Sequence, residues 1–312
     1  MLSDDVFEQN IQELVVVDDF SEDNTSKILH SFSHPKLRLI HMSDQLDDKF
    51  QSSKKKALSA GVNHITSEYI IQLDADVIPH TGYLKTVIDY INTHDADFVA
   101  AAVVIREKTD TFTAFQVLDY AGMMAVTQAG IYSGLWWMAN GANMIYKRSM
   151  IDFSSNDLAS GDDIYGVQAV AAAGGRVDFL KSSQAIVYTE GMSDCSSFFN
   201  QRIRWLTKNK YMKSMSMILM MLVPFLSAVV FISYFILLGF KTQIVLILIM
   251  HHIFLVGGVN YIYLSEMATY FGLNESMKRF GTSQFMHITY VALIGSLSLF
   301  IKNYSWKGRK LS

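Results

Sequence analysis

The chain has 312 residues, 50% of them apolar, with 26 Lys and Arg against 29 Asp and Glu and a formal net charge of −3. That balance argues against a nucleic-acid-binding surface, and the apolar share is ample for a sizeable core. The one cysteine, Cys195, excludes an internal disulfide framework and agrees with a reducing compartment.

Up to about Trp205, short apolar runs alternate with amphipathic stretches, which predicts an α/β domain with a mostly parallel sheet. Residues 13–17 read as a buried strand, 25–33 as a helix, 36–41 as a strand and 54–65 as a helix. A strand over 68–73 runs straight into Asp74-Ala75-Asp76, followed by a helix over 81–92, a strand over 98–105 and a long helix from about Thr111. Strands over 142–147 and 177–180 enclose a helix from about Asp162 to 173, and Ser193 and Asp194 are N-cap candidates for a helix carrying Gln201 to Trp205.

Beyond that point the composition changes. Residues 217–239 carry no charged side chain, and they exceed the roughly 18 to 20 residues that cross about 30 Å of hydrocarbon. Residues 243–264 are interrupted only by His251 and His252, read as interhelical hydrogen-bonders rather than metal ligands. Residues 285–301 sit at the short end and read as a third span, a re-entrant segment or an interfacial one. Arg202, Arg204, Lys208, Lys210 and Lys213 precede the first span, and Lys278 and Arg279 lie between the second and third; the positive-inside rule places both flanks in the cytoplasm. Lys302, Lys307, Arg309 and Lys310 obey the same rule, which three full crossings would forbid. The expected organisation is a cytoplasmic domain over 1–213 and a membrane region over 214–312 with two or three helices, in the cytoplasmic (inner) membrane.

Four groups of residues can carry chemistry. Asp18 and Asp19 emerge from the first strand; such carboxylates serve either as helix caps or as acceptors for the donor groups of a base or ribose. Asp74 and Asp76 follow the 68–73 strand, and a turn there can bring both towards one hard cation, Mg²⁺ or Mn²⁺. Ser160-Gly161-Asp162-Asp163 precedes a helix and offers either an N-cap pair or a carboxylate able to take a proton from an attacking hydroxyl. Gln201, Arg204 and Trp205 are three and four apart, so they share a helix face that joins an amide, a guanidinium and an indole; the alternative is an interfacial anchor.

In this order, and followed by membrane spans, these motifs resemble the membrane-bound family 2 glycosyltransferases of the GT-A fold, which include cellulose, chitin, hyaluronan and poly-N-acetylglucosamine synthases. The resemblance runs from about Asp5 to Lys213, and less specifically to Trp306-Lys307-Gly308-Arg309. It implies that Asp18 and Asp19 contact the nucleoside. It also implies that Lys54, ahead of Ala57-Leu58-Ser59-Ala60-Gly61, lies near the donor phosphates, with Lys55 and Lys56 as competitors. Asp74 and Asp76 are then the metal-binding D-x-D motif, Asp76 being the better ligand, and Asn140-Gly141-Ala142-Asn143 lines the acceptor side of the donor site. Asp163 becomes the catalytic base with Asp162 orienting, and Gln201, Arg204 and Trp205 match Q-x-x-R-W, which closes over the diphosphate and positions the acceptor sugar.

The implied reaction is inverting and metal-dependent. A nucleotide-diphospho-sugar, expected to be a UDP-sugar, donates to a glycan or lipid-linked acceptor at the bilayer, with no nucleic acid involved. Few spans favour single-sugar transfer, whereas Q-x-x-R-W favours processive synthesis. The sequence departs from the family at its start, where a strand and an Arg-Asn-Glu loop are expected before the 13–17 strand and only 12 residues stand. An N-terminal truncation is therefore expected, and an inactive remnant or a binding subunit is the alternative reading.

Overall fold

A computed structural model describes residues 5–46, 53–151, 162–207, 214–238, 242–298, 304–306 and 309–311. In chain order its elements are α1 (Asp5–Asn10), β1 (Leu14–Asp18), α2 (Thr25–Ser31), β2 (Leu37–His41), α3 (Lys54–His64), β3 (Tyr69–Leu73), β4 (Ile78–Pro79), α4 (Tyr83–Thr93) and β5 (Phe98–Ala101). There follow β6 (Val103–Ile105), α5 (Thr111–Ser133), β7 (Asn143–Lys147), α6 (Asp162–Ala172), β8 (Val177–Leu180), β9 (Val187–Thr189), α7 (Cys195–Thr207) and α8 (Met215–Leu237). The remainder is α9 (Thr242–His252), a π turn over Ile253–Gly257, α10 (Gly258–Phe271), α11 (Asn274–Met277), α12 (Phe280–Ser298) and the tail strands β10 (Tyr304–Trp306) and β11 (Arg309–Leu311). These elements pack as two compact units that interleave along the chain.

The first unit comprises Met1–Ala75, Pro79–Ala102 and Trp137–Val187. Its main sheet has the order β3-β7-β5-β8. The apolar run of Phe98–Ala101 is buried at every position, as a strand covered on both faces must be. The sheet is mixed rather than mostly parallel: β7 runs antiparallel to both β3 and β5, while β8 is parallel to β5. A continuous apolar run is compatible with either direction, so the sequence pattern carries no sign of the reversal. The expected 98–105 strand breaks at Ala102 into β5 and β6.

β1 and β2 form a separate parallel pair, in register from Leu14 opposite Leu37 to Asp18 opposite His41. α3 lies against them through Ala57 and Ala60, which pack with Val15 and Val17. The approach is close at Gly61, where an added Cβ would stand 3.2 Å from Val17 Cγ2.

Asn143, at the start of β7, fastens the core of this unit. It is fully buried; its Oδ1 accepts from Tyr83 Oη at 2.7 Å and its Nδ2 donates to the carbonyls of Ala102 and Ala185 at 2.9 and 3.0 Å. The Tyr83 hydroxyl is held protonated by burial. Tyr83→Phe removes one partner and leaves a buried acceptor short, so it should destabilise the unit by about 1–3 kcal/mol. Chemical unfolding of the purified chain would show this as a lower midpoint with an unchanged slope.

The second unit comprises Asp76–Ile78, Val103–Trp136 and Tyr188–Ser312. Its central helix is α5, apolar around most of its circumference and buried from Thr113 to Ala121. Asp110 caps it by accepting from Thr113 N at 2.8 Å, and Gly134 ends it in the left-handed conformation at φ 65°. α7, α10, α11 and α12 belong to this unit. Tyr263 Oη donates to Gly122 O at 3.3 Å, and Glu107 Oε1 accepts from Ser276 N at 2.6 Å at the head of α11.

Among the described residues, two helices are long and apolar enough to cross a membrane: Met215–Leu237, and the continuous helix Thr242–Phe271 that includes the π turn. Only 17% and 6% of their most apolar stretches is buried, so most of those side chains face outward. The third expected span corresponds to the 19-residue α12. Ser227 Oγ and His252 Nε2 meet at 3.4 Å between α8 and α9, the kind of interhelical polar contact expected of that histidine. Lys208, Lys210, Lys213, Lys302 and Lys307 lie outside the described residues, and Arg309 and Lys310 are described in backbone only.

Candidate functional site

β1 delivers Asp18 and Asp19 at its carboxyl end, where α/β sheets gather ligand-binding loops. Asp18 Oδ1 accepts from Ser21 N at 3.0 Å, and Oδ2 pairs with His41 Nδ1 at 3.1 Å. Burial would raise its carboxyl, but the Ser21 and His41 hydrogen bonds outweigh it and hold Asp18 below the usual carboxylate range. Asp19 differs: its Oδ1 is enclosed yet has no hydrogen-bond partner among the described residues. A buried acceptor left empty is unfavourable by itself and is relieved by a ligand donor group. The next residue, Phe20, has φ 57°, a left-handed conformation that a bulky side chain adopts only under constraint from its surroundings.

Lys54 opens α3, one residue after the N-cap Ser53, whose hydroxyl accepts from Lys56 N at 3.2 Å. Its Nζ stands 2.7 Å from Asp74 Oδ1, both side chains partly exposed at 28% and 36%. Asp74 directly follows β3, and Ala75 and Asp76 form the turn beyond it, with Asp76 solvent-exposed. Hard carboxylate oxygens on an accessible turn suit Mg²⁺ or Mn²⁺ held by one or two protein ligands and by donor phosphates. Among the described residues no group of three or more His, Cys, Asp or Glu converges as a closed metal site.

The remaining first-unit residues are placed as follows. Asp163 stands in the first turn of α6, and its Oδ1 accepts from the adjacent Ile164 N at 2.9 Å. Ser160, Gly161 and the side chain of Asp162 lie outside the described residues. Asn143 sends its side chain into the core, so the part of Asn140-Gly141-Ala142-Asn143 open to a ligand is its partly exposed first residue, Asn140.

In the second unit, Asp194 caps α7 by accepting from Ser197 N at 2.9 Å. Gln201, Arg204 and Trp205 are partly buried along α7, whereas Arg202 is almost wholly enclosed. Sequence reasoning passed over Arg202 and its partners Asp119 and His287. The signal was present: Asp119 is the only charged residue between 111 and 133, and a charge in a buried helix requires a partner.

The first unit thus offers carboxylates at strand ends with a lysine on one of them, and the second a helix that carries an amide, a guanidinium and an indole. Residues 3–153 match the family model for Glycosyl transferase family 2. That segment, just under half of the chain, is therefore similar to the family 2 glycosyltransferases. The matched segment holds Asp18, Asp19, Lys54, Asp74, Asp76 and Asn143 and ends before Asp163. Poly-beta-1,6-N-acetyl-D-glucosamine synthase of Staphylococcus epidermidis is 24% identical over 142 residues, 45% of this chain and 33% of that protein. The chain thus spans about a third of the length of the curated relatives it matches.

Among solved structures, mannosyltransferase PcManGT from Pyrobaculum calidifontis, in complex with GDP-Man and Mn²⁺, has a TM-score of 0.47 at 15% identity over 92% of this chain and 78% of that one. TarS 1-349 of S. aureus, in complex with UDP-GlcNAc, has a TM-score of 0.40 at 14% identity over 96% and 86%. Glucosyl-3-phosphoglycerate synthase of Mycobacterium tuberculosis, with Mn²⁺, UDP and glucosyl-3-phosphoglycerate, has 0.43 at 13% identity over 63% and 67%.

Proposed function

We propose that this chain is an inverting, metal-dependent glycosyltransferase that moves a sugar from a nucleotide-diphospho-sugar, a UDP-sugar in the first instance, to a glycan or lipid-linked acceptor at the cytoplasmic face of a membrane. The observation that carries the reading is the Lys54–Asp74 pair at the end of β3, a cation and an anion poised where a diphosphate and a divalent ion would exchange partners with them. The unsatisfied Asp19 Oδ1 supports a nucleoside contact beside it in sequence to Asp18. The two outward-facing apolar helices support membrane attachment, and the S. epidermidis relative supports a polysaccharide product.

In this reading Asp18 and Asp19 accept from the base and ribose, and Lys54 swings from Asp74 to the diphosphate. Asp74 and Asp76 would hold the divalent ion, which supplies charge neutralisation to the departing diphosphate. Asp163 takes the proton from the acceptor hydroxyl. The hydroxyl oxygen bonds to the anomeric carbon as its bond to the phosphate oxygen breaks, and the nucleoside diphosphate leaves with that electron pair. Attack from the opposite face inverts the centre without a covalent intermediate. Trp205 offers an indole face to the acceptor sugar, with Gln201 and Arg204 over the diphosphate.

Lys54→Met should raise the donor KM about 10- to 100-fold, the worth of one hydrogen bond to a charged group. Steady-state nucleotide release against donor concentration measures it. An unchanged KM would remove Lys54 from the donor site.

A further inference from the structure

Arg202, Asp119 and His287 form a buried charged cluster within the second unit that the reaction above does not use. Arg202 Nη2 donates to Asp119 Oδ2 at 2.6 Å, and Asp119 Oδ1 pairs with His287 Nδ1 at 2.9 Å. The arginine and aspartate side chains are 2% and 3% exposed, and His287 35%. The guanidinium is also enclosed by rings, its Cζ lying 4.2 Å from the Trp205 ring centroid, 4.6 Å from Phe198 and 5.6 Å from Tyr290. Its Nε has no hydrogen-bond partner among the described residues, so the aromatic faces take the place of a further acceptor.

The register of α7 explains the arrangement. Phe198, Arg202 and Trp205 are four and three residues apart and form one ridge of the helix, with the guanidinium between the two rings. Asp119 on α5 holds that guanidinium from outside the helix, and His287 on α12 holds the other oxygen of Asp119. An ion pair buried this deeply is weak evidence for stability, since apolar residues of similar volume would serve as well. What apolar residues would not provide is a flat cation held in a fixed plane against an indole.

We propose that Arg202 is a positioning residue for the acceptor: held by Asp119, which His287 holds in turn, it backs one side of the Trp205 indole and keeps that ring ready as the platform on which the acceptor sugar stacks. Tyr120 braces the same indole at 5.9 Å between centroids, and the ring as a whole stays partly exposed, leaving surface for a ligand. A platform ordered before binding spares the acceptor the entropic cost of ordering it. This inference rests on the reading of Trp205 as an acceptor contact and adds what fixes it.

Arg202→Lys is the sharpest test, because it keeps the charge for Asp119 and loses the planar stack. With UDP-GlcNAc as donor and a β-1,6-linked N-acetylglucosamine trisaccharide as acceptor, the acceptor KM should rise about tenfold or more while the donor KM changes less than about twofold. In a Trp205→Ala background the same substitution should have no further effect, since both act through one ring. An unchanged acceptor KM in Arg202→Lys, or fully additive effects, would overturn the proposal. The paired substitution Asp119→Leu with Arg202→Met keeps the core apolar and should show the same rise in acceptor KM, guarding against a variant that merely unfolds.

A second readout needs no activity. With Trp136, Trp137 and Trp306 replaced by Phe, Trp205 is the sole tryptophan, and Arg202→Lys should raise its acrylamide quenching constant about twofold as the ring loosens. Absence of transfer by the parent chain combined with that rise would count against the acceptor chemistry and keep the clamp. Transfer by the parent chain with no change in quenching or acceptor KM would discard the clamp and keep the chemistry.

Discussion

Asp163→Asn is expected to lower sugar transfer by about 10²- to 10⁴-fold with little change in fold or donor KM, the loss that follows removal of a general base. The carboxylate is the group able to receive the proton of the acceptor hydroxyl; an amide of the same shape cannot. The bond from Ile164 N to Asp163 Oδ1 survives in Asn, whose carbonyl oxygen accepts equally well, so α6 should keep its first turn. Asp163→Ala, which also removes the carboxylate, should lose activity to the same extent. Activity in Asp163→Asn close to that of the parent would leave Asp163 as a helix cap alone, the alternative that its sequence context also allows.

Asp119→Ala is expected to be the most destabilising single change in the second unit, at about 3–5 kcal/mol, because it strands the Arg202 guanidinium in a closed environment without a counter-charge. Asp119→Leu combined with Arg202→Met should recover most of that loss, since removing both charges leaves nothing uncompensated. Thermal unfolding in detergent of the single and the paired variants measures the difference; equal loss in both would show that the cluster's shape and not its charge holds α5, α7 and α12 together. Acid has a related effect. Burial would push the Asp119 carboxyl up, but Arg202 and His287 outweigh it and hold it below the ordinary value of 3.8. A carboxylate depressed in the folded state contributes stability that is fully present above that ordinary value and is lost as pH falls below it. Stability should therefore drop as the pH is taken below about 4, and Asp119→Leu with Arg202→Met should flatten that slope.

Much of the fold is legible because local chemistry and packing agree. Asp194 is a cap candidate ahead of the helix that carries Gln201 to Trp205, and it accepts the expected backbone hydrogen bond from Ser197 N. The run of uncharged residues from 217 needs no tertiary knowledge to be read as a helix in an apolar medium. The direction of β7 is not legible, because side-chain alternation and burial are the same for a strand running either way. Nor is the fate of Asn143: the family resemblance marks its segment as a lining of the acceptor side, and only the three-dimensional placement of Tyr83, Ala102 and Ala185 turns it inward.

The candidate site shows the same division. Asp18, Asp19, Asp74 and Asp163 stand out by their places after strands and at the start of a helix, whereas the pairing of Lys54 with Asp74 depends on where α3 lands; the family resemblance pointed to Lys54 as a phosphate neighbour and not to this partner. Which of two arginines in Gln201-Arg202-Ile203-Arg204-Trp205 turns inward depends on the rotation of α7 against α5 and α12. The spacing alone treats Arg202 and Arg204 alike. The lone charge of Asp119 in an apolar helix was the readable hint that one of them is needed inside.

The most direct measurement is release of nucleoside diphosphate by the purified chain from UDP-GlcNAc, UDP-glucose and GDP-mannose, each with Mn²⁺ or Mg²⁺ and again with chelator, for the parent and Asp163→Asn. Release from one donor that requires the metal, yields a β-linked product from an α-linked donor and falls about a hundredfold or more in Asp163→Asn is the expected result. Release that persists in chelator and in Asp163→Asn, or no release from any of the three donors, would contradict a metal-dependent inverting transferase.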